Sequence, residues 1–271
     1  MYILIFFIFF FLLGIIIGSF LNVIIYRFNT GKTIVRGHSM CMNCGRKLRW
    51  YELIPLVSYL IQLGKCRRCR SSVSVQYPVV EFLTGLMFLF IAFHFLPIIL
   101  FSPYSYLVII VLFFIIFSIL IIISVYDFRH KVIPDKMVYL FAFVSLLSIF
   151  VNQTPFGPIL VWPSLSHIIS GPLLALPFAL IWLISHGRLM GLGDAKLILG
   201  IGWMLGLSQG LASLAISFWI GAIISLIVMA LSPKKVNMQT QIPFAPFLIL
   251  GAIIVFIFNI DILTFGKLFS F

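Results

Sequence analysis

The chain has 271 residues, of which 63% are hydrophobic and only 9% are charged, so its composition excludes a water-soluble globular domain and indicates a membrane protein. The formal net charge of +12 would favour nucleic-acid binding in a soluble protein. Here the lysines and arginines lie in loops between apolar runs, where membrane orientation explains them better. We therefore expect a lipid bilayer, and no nucleic acid, as a partner. The six acidic residues are Glu52, Glu81, Asp127, Asp135, Asp194 and Asp261.

The first apolar run, residues 3–25, contains no charge and is long enough to cross a bilayer, which needs about 20 helical residues. A cleaved signal peptide is the alternative, but no basic residue precedes the run and no small-x-small cleavage site ends it. Because Arg27 follows the run, we expect the N-terminus outside and the next loop in the cytoplasm.

The one substantial polar stretch, residues 27–78, contains ten of the 18 lysines and arginines and two Cys-x-x-Cys pairs. The pairs are separated by 21 residues and comprise Cys41, Cys44, Cys66 and Cys69. Each pair can supply two thiolates to one tetrahedral ion, and the gap is close to that of known zinc sites. Disulfides or unligated thiols are the alternative, but disulfides rarely persist in the cytoplasm. The pattern predicts a closed, structural zinc site, which is no indication of metal catalysis.

Seven further apolar runs predict an all-α polytopic membrane protein of about eight transmembrane helices with a cytoplasmic zinc-binding loop domain. These runs are residues 79–96, 105–126, 137–151, 168–186, 195–207, 210–231 and 244–260. The stretch 195–231 could be one long helix, but two short spans return Lys234 and Lys235 to the cytoplasm. With that topology 17 of the 18 lysines and arginines are cytoplasmic and only Lys267 is outside, as the positive-inside rule requires.

Two acids occupy matching positions at the edges of apolar runs. Asp127 directly follows residues 107–126, and Asp194 directly precedes the run that begins at residue 195. Gly191 and Gly193 precede Asp194, and glycines let a chain turn sharply or bring its backbone close to a partner. Because charge next to hydrocarbon is costly, acids at such a boundary are candidates for function.

Two carboxylates that share a site cannot both ionise cheaply, so one tends to hold a proton. The charged one can act as general base on a water, and the protonated one can polarise a scissile carbonyl. The alternative is that each acid pairs with a neighbouring base, Asp127 with Arg129 and Asp194 with Lys196. Asp135 fits an N-cap of the next helix, with a supporting part in the site as the alternative.

A third constellation lies near the cytoplasmic ends of the first two runs, where Asn22 and Glu81 could bind a polar ligand. Interhelical hydrogen bonding is the alternative, and Gly14 with Gly18 forms a Gly-x-x-x-Gly close-packing face.

Taken in order, these motifs resemble those of the bacterial type IV prepilin leader peptidases, which are bifunctional peptidases and N-methyltransferases. The resemblance covers nearly the whole chain. It rests on Gly18-Ser-Phe-Leu-Asn-Val23, the two cysteine pairs, Trp50-Tyr-Glu-Leu-Ile-Pro55, Tyr77-Pro-Val-Val-Glu81, Asp127 with Ile133-Pro-Asp135, and Gly191-Leu-Gly-Asp-Ala-Lys196.

The resemblance implies a membrane aspartic peptidase of the GxGD type with Asp127 and Asp194 as its catalytic pair. The supporting residues are Asp135, Gly191, Gly193 and Lys196. Its implied substrates are prepilins or pseudopilins of type IV pilus or type II secretion systems. The basic leader would be removed at the cytoplasmic face of the bacterial inner membrane.

The resemblance also implies that the new N-terminal residue is methylated from S-adenosylmethionine. Residues 1–100, with the zinc loop 27–78, would form the methyltransferase region, and residues 101–271 the peptidase region. Candidate methyltransferase or substrate-binding residues are Asn22, Arg27 and Glu81. His38, Met42 and Ala245 depart from the family pattern without removing a carboxylate or thiolate. A peptidase without methyl transfer and a non-enzymatic scaffold with a zinc loop are the alternatives.

Overall fold

A computed structural model of the protein describes residues 2–31, 33, 37–231 and 243–262. Within these ranges the fold is helical, with isolated bridges but no strand, which confirms the all-α prediction. The helices are α1 (Tyr2–Arg27), α2 (Val57–Ile61), α3 (Gln76–His94), α4 (Leu96–Ile99), α5 (Pro103–His130), α6 (Asp135–Ser148), α7 (Leu165–Ser185), α8 (Leu192–Leu231) and α9 (Ala245–Phe258), with a 3-10 turn at Trp50–Glu52. Five basic residues used for the predicted topology lie outside the described ranges: Lys32, Arg36, Lys234, Lys235 and Lys267.

Five of the described helices, α1, α3, α5, α7 and α8, are long and apolar enough to cross a membrane, so the chain is a multi-pass membrane protein. Helices α6 and α9 have only 14 residues each. The backbone of α8 is interrupted at Gly206, where φ is 78° and ψ is 178°. This kink lies two residues before positions 208–209, where the sequence predicted a break between two short spans. The expected number of about eight spans stays a prediction.

The chain forms two compact units, residues 1–94 and 95–271. In the first unit, α1 packs closely on α3 through its glycines. An ideal Cβ on Gly14 would lie 2.7 Å from the carbonyl oxygen of Thr84, and one on Gly18 would lie 2.8 Å from the Cα of Glu81. The predicted Gly-x-x-x-Gly packing face is therefore present.

The segment between α1 and α3 begins and ends at the same end of this helix pair. The ring of Tyr26, near the end of α1, stacks on that of Tyr77, at the start of α3, with 4.9 Å between the centroids. The two helices are therefore antiparallel neighbours, and the described residues between Arg27 and Gln76 lie beyond their paired ends.

In the second unit, α8 packs against α6, α7 and α9. Its glycines allow the approach, because an ideal Cβ on Gly200 would lie 2.4 Å from the ring of Phe141 in α6. On the α7 side, the Ser170 hydroxyl donates to the carbonyl oxygen of Gly202 at 2.8 Å. This packing brings the turn between α5 and α6 against the beginning of α8.

Candidate active site and thiolate centre

Asp127 lies in the last turn of α5 and is only 4% exposed. The helix ends at Lys131, a left-handed C-cap whose backbone N–H donates to the Asp127 carbonyl at 2.7 Å. The backbone N–H of Ala245, the first residue of α9, faces the Asp127 carboxylate. Asp127 Oδ2 has no hydrogen-bond partner among the described residues. One carboxylate oxygen is therefore left for another ligand.

Asp194 lies in the first turn of α8 and is 8% exposed. Its carboxylate turns back toward the backbone N–H of Gly191, in the way that a residue at the third helical position closes a helix N-terminus. An ideal Cβ on Gly191 would meet nothing closer than Asp194 Oδ2, at 3.7 Å. The backbone at Gly191 thus lies directly beside the acid.

Gly193 is required for a different reason. An ideal Cβ there would lie 2.9 Å from the Cβ of Ile133, in the turn that follows α5. Neither Gly191 nor Gly193 has a positive φ, so their backbone conformation does not by itself require glycine, and a role in turning the chain sharply stays a prediction. The nearest positive φ angles are at His186 and Gly187, just after α7. Close helix approach, the other reason proposed for a glycine, applies at Gly193.

The two carboxylates are near enough to interact electrostatically, although 66 positions separate them in the sequence. Both belong to the second unit and both are buried. Two close, shielded carboxylates can share one proton, and this allows one to act as a base while the other acts as an acid.

Lys196 pairs with Asp135 and not with Asp194. Its ammonium nitrogen lies 2.7 Å from Asp135 Oδ1 and 4.7 Å from the ring centroid of Tyr139. The alternative in which Lys196 neutralises Asp194 is therefore wrong. The N-cap prediction for Asp135 is also wrong, because Pro134 is the N-cap and Asp135 begins the helix.

The four cysteines form a compact cluster in which all four sulfur atoms lie within 4.8 Å of one another. The sulfurs of Cys41 and Cys69 are 3.8 Å apart. A tetrahedral zinc site with bonds of about 2.3 Å places its sulfurs about 3.8 Å apart, so the donor set fits such an ion. All four are free cysteines, so the disulfide alternative is not what the structure contains.

Two similar turns present these sulfurs. The backbone N–H of Gly45 donates to the carbonyl of Cys41, and that of Arg70 donates to the carbonyl of Cys66, each at 2.9 Å. The Ser71 hydroxyl lies 3.1 Å from the Cys69 sulfur, and this hydroxyl, the Ser71 backbone N–H and the Asn43 amide together lower the pKa of that thiol to about 6. This favours the thiolate, which is the form that binds a metal.

A partly buried ion pair lies near the four-cysteine cluster, which we call the thiolate centre. The Arg46 guanidinium bonds the Glu52 carboxylate, whose second oxygen accepts the backbone N–H of Arg49 at 2.9 Å. Burial raises the pKa of Glu52, but these two donors outweigh it and hold the pKa below its usual value. The single acid of residues 27–78 is therefore engaged internally.

The three candidate methyltransferase residues lie at the paired ends of α1 and α3 or just beyond. Asn22 donates to the Tyr77 carbonyl at 3.1 Å, which is an interhelical hydrogen bond, while its buried Oδ1 has no partner among the described residues. Glu81 Oε2 accepts the backbone N–H of Leu56 at 2.8 Å. The Arg27 guanidinium donates to the carbonyl of Thr33 at 2.8 Å. A ligand-binding role for these residues stays a prediction.

Sequence reasoning missed several partners of these groups. Tyr139 had a signal, since it lies four residues after Asp135 and on the same helix face. Ser71, two residues after Cys69, could have been noted as a donor to sulfur. The backbone N–H groups of Leu56 and Ala245 had no signal, because every residue type except proline carries one.

The sequence matches two family models. One is described as the bacterial peptidase A24 N-terminal domain and matches residues 12–95, and the other is the type IV leader peptidase family, matching residues 114–226. Similar proteins carry the name prepilin leader peptidase/N-methyltransferase. The protein from Vibrio cholerae is 31% identical over 257 residues, covering 90% of this chain and 94% of that protein. The protein from Bacillus subtilis is 29% identical over 256 residues, covering 94% and 95%.

A shorter and stronger similarity is found with the protein from Myxococcus xanthus. It is 52% identical over 81 residues, which is 30% of this chain and 24% of that protein. No solved structure matches the chain.

Proposed function

We propose, on the premise that the chain belongs to the family of type IV prepilin leader peptidases/N-methyltransferases, that Asp127 and Asp194 catalyse removal of the prepilin leader. The enzyme is a prepilin peptidase with N-methyltransferase activity. The observation that carries the assignment is that two buried acids lie within electrostatic range of each other while the neighbouring lysine is engaged elsewhere.

In the proposed reaction one carboxylate removes a proton from water as the water oxygen attacks the scissile carbonyl carbon. The second carboxyl group donates its proton to the carbonyl oxygen. The carbon–nitrogen bond then breaks, and the leaving amine takes a proton from the carboxyl group that acted as base. The other carboxylate takes back a proton from a hydroxyl of the tetrahedral intermediate, which releases the new carboxyl terminus and restores the one-proton pair. Because Lys196 is bound to Asp135, no cation from the first turns of α8 neutralises the pair. The free Oδ2 of Asp127 is available to a water.

The direct test uses the full-length enzyme in nanodiscs with a full-length prepilin, and mass spectrometry of the product. Asp127→Asn and Asp194→Asn should each lower the rate of leader removal by about 10²–10⁴-fold. Asp261→Asn is the matched control, because Asp261 is an acid outside the pair. The backbone N–H of its neighbour Ile262 donates to the Ser208 hydroxyl, which lies on the other side of the α8 kink from Asp194. Either Asn variant cleaving at the control rate while folded would exclude the pair.

Methyl transfer is assigned to residues 1–100, with residues 101–271 as the peptidase region. The separate N-terminal family model, which covers residues 12–95, supports the division into two regions. The buried Oδ1 of Asn22, which has no hydrogen-bond partner among the described residues, supports a ligand site in the first region. S-adenosylmethionine, the donor that a methyltransferase implies, supplies an electrophilic methyl group when bound. Asn22, Arg27 and Glu81 would hold the donor or orient the substrate amine, and the amine nitrogen loses a proton as it gains the methyl group.

A zinc ion held by the four cysteine thiolates is proposed to stabilise the loop between α1 and α3. The mutual distances of the sulfurs support it. The closed ligand set leaves no position for a reacting water, so its role is structural.

The thiolate centre and the acid pair are proposed to face the cytoplasm from the bacterial inner membrane. Support comes from the basic residues between α1 and α3 and from Arg129 and Lys131 beside the acid pair. Reporter fusions after α3 and after α5 should place their ends on opposite sides of the membrane, with the α5 end inside.

A further inference from the structure

The segment between α1 and α3 carries an exposed apolar surface on α2 and its flanks. Val57, Leu60 and Ile61 lie at positions i, i+3 and i+4 of this short helix and thus on one face. Leu60 is 69% exposed, and the flanking Trp50 and Leu63 are 77% and 83% exposed. We call these five residues the α2 surface. Large apolar side chains that are this exposed on a polar segment indicate an interaction site.

The surroundings of the α2 surface are positively charged. Its exposed neighbours in the sequence are Arg49, Lys65, Arg67, Arg68 and Arg70. The one acid of residues 27–78, Glu52, is buried against Arg46 and offers no compensating charge. A surface with aliphatic and tryptophan side chains flanked by arginine and lysine suits an anionic membrane interface.

A hydrogen bond holds α2 at the depth where the membrane-spanning helix α3 begins. The backbone N–H of Leu56, directly before α2, donates to Oε2 of Glu81 at 2.8 Å. Glu81 is five residues after the first residue of α3, a distance of about 7.5 Å along the helix axis. Helix α2 therefore starts beside the first turns of a helix that is apolar enough to cross the membrane.

The backbone at this anchor is strained. Leu56 has φ 60° and ψ −54°, a conformation that is unfavourable for a residue with a Cβ. The Glu81 carboxylate therefore holds Leu56 in a backbone conformation that it would not adopt by itself. This fixes the direction in which α2 extends from the beginning of α3.

We propose that the α2 surface docks on anionic phospholipid of the leaflet that the loop between α1 and α3 faces. The bilayer is adjacent, because α1 and α3 on either side of the segment are long and apolar enough to span it. The aliphatic face matches the acyl layer of the bilayer, and the cations match its phosphate layer. The basic leader of a prepilin is a poorer occupant, because its charge has the same sign as that of the loop. The proposal goes beyond the peptidase and methyltransferase assignments and depends on neither.

The test measures how near Trp50 lies to lipid in the full-length protein. The protein is placed in nanodiscs of phosphatidylcholine, with or without phosphatidylglycerol, that contain lipids brominated near the headgroup. Quenching of Trp50 is obtained as the difference between the wild type and Trp50→Phe, because other tryptophans are present. We expect Trp50 to be quenched, and more strongly with phosphatidylglycerol.

Two sets of variants separate the apolar and charged contributions. Leu60→Glu with Ile61→Glu should abolish most of the Trp50 quenching, whereas Met42→Glu, at another exposed apolar residue of the loop, should not. Lys65→Gln and Arg68→Gln should each weaken docking about five-fold in anionic discs and have little effect in neutral ones. Bound zinc, measured for every variant, shows that the loop is still folded.

Three results would overturn the proposal. One is the absence of Trp50 quenching in anionic discs, and another is quenching that Leu60→Glu with Ile61→Glu leaves unchanged. The third is shielding of Trp50 from aqueous iodide in detergent without any quenching by brominated lipid, which would mean that protein covers the surface.

Discussion

The ammonium of Lys196 bonds Asp135 at 2.7 Å and so joins the beginning of α8 to the beginning of α6. Asp194 lies only two residues before Lys196, but residues two apart on a helix do not face each other. The lysine therefore stabilises the contact between two helices and leaves the acid pair without its charge.

The first prediction concerns this ion pair. Asp135→Asn should lower the free energy of unfolding by less than about 1 kcal/mol, because the Asp135 side chain is 65% exposed. Leader removal should fall only a few-fold, because the Asn amide oxygen can still accept a hydrogen bond from Lys196. Initial rates with a full-length prepilin measure this. If Asp135→Asn were folded and as inactive as Asp194→Asn, Asp135 would take part in catalysis and would not only stabilise the contact between α6 and α8.

The second prediction separates the two glycines before Asp194. Gly193→Ala places a methyl group against Ile133, and such overpacking costs about 1–3 kcal/mol or displaces the start of α8. Gly191→Ala adds only an ordinary contact at 3.7 Å from Asp194 Oδ2. Thermal unfolding and leader removal should both be impaired more strongly by Gly193→Ala than by Gly191→Ala. Equal effects would show that backbone freedom, and not the approach to Ile133, explains the pair of glycines.

The third prediction concerns the thiolate centre. The Ser71 hydroxyl lies 3.1 Å from the Cys69 sulfur and 3.7 Å from the Cys41 sulfur, so it can donate to a bound thiolate. Ser71→Ala should weaken zinc affinity by about 10–100-fold, as loss of a partner of a metal ligand usually does. Competition with a chelator measures the affinity, and the exposed neighbour Ser72 supplies the control Ser72→Ala. An equal affinity of both variants would contradict a role for the Ser71 hydroxyl.

The fourth prediction separates methyl transfer from cleavage. Glu81→Gln keeps an oxygen that can accept the Leu56 N–H but removes the negative charge. If Glu81 takes part in methyl transfer, methylation of a pilin already cleaved by the wild type should fall at least about 10-fold. Leader removal by the same variant should be unchanged. Methylation at the wild-type rate would leave Glu81 with the structural role of holding α2.

The helices and the two cysteine pairs could be predicted from the sequence because their signals are local. A segment that crosses hydrocarbon must satisfy its own backbone hydrogen bonds, so a long apolar run indicates a helix without knowledge of its neighbours. Likewise, Cys41 and Cys44 are brought together by one short turn, and so are Cys66 and Cys69. The meeting of these two pairs was expected because one tetrahedral ion takes four thiolates, which is a property of metals such as zinc.

The partners of individual side chains were decided by the tertiary structure alone. Lys196 could have paired with Asp194 or Asp135, and the packing of α6 on α8 selected Asp135. Gly193 is needed because Ile133, 60 positions earlier, lies against it. Hydropathy and spacing are properties along the chain, whereas these contacts depend on how closely two helices approach and which faces they turn toward each other. That approach is fixed by the packing of many residues together, and no short stretch of sequence contains it.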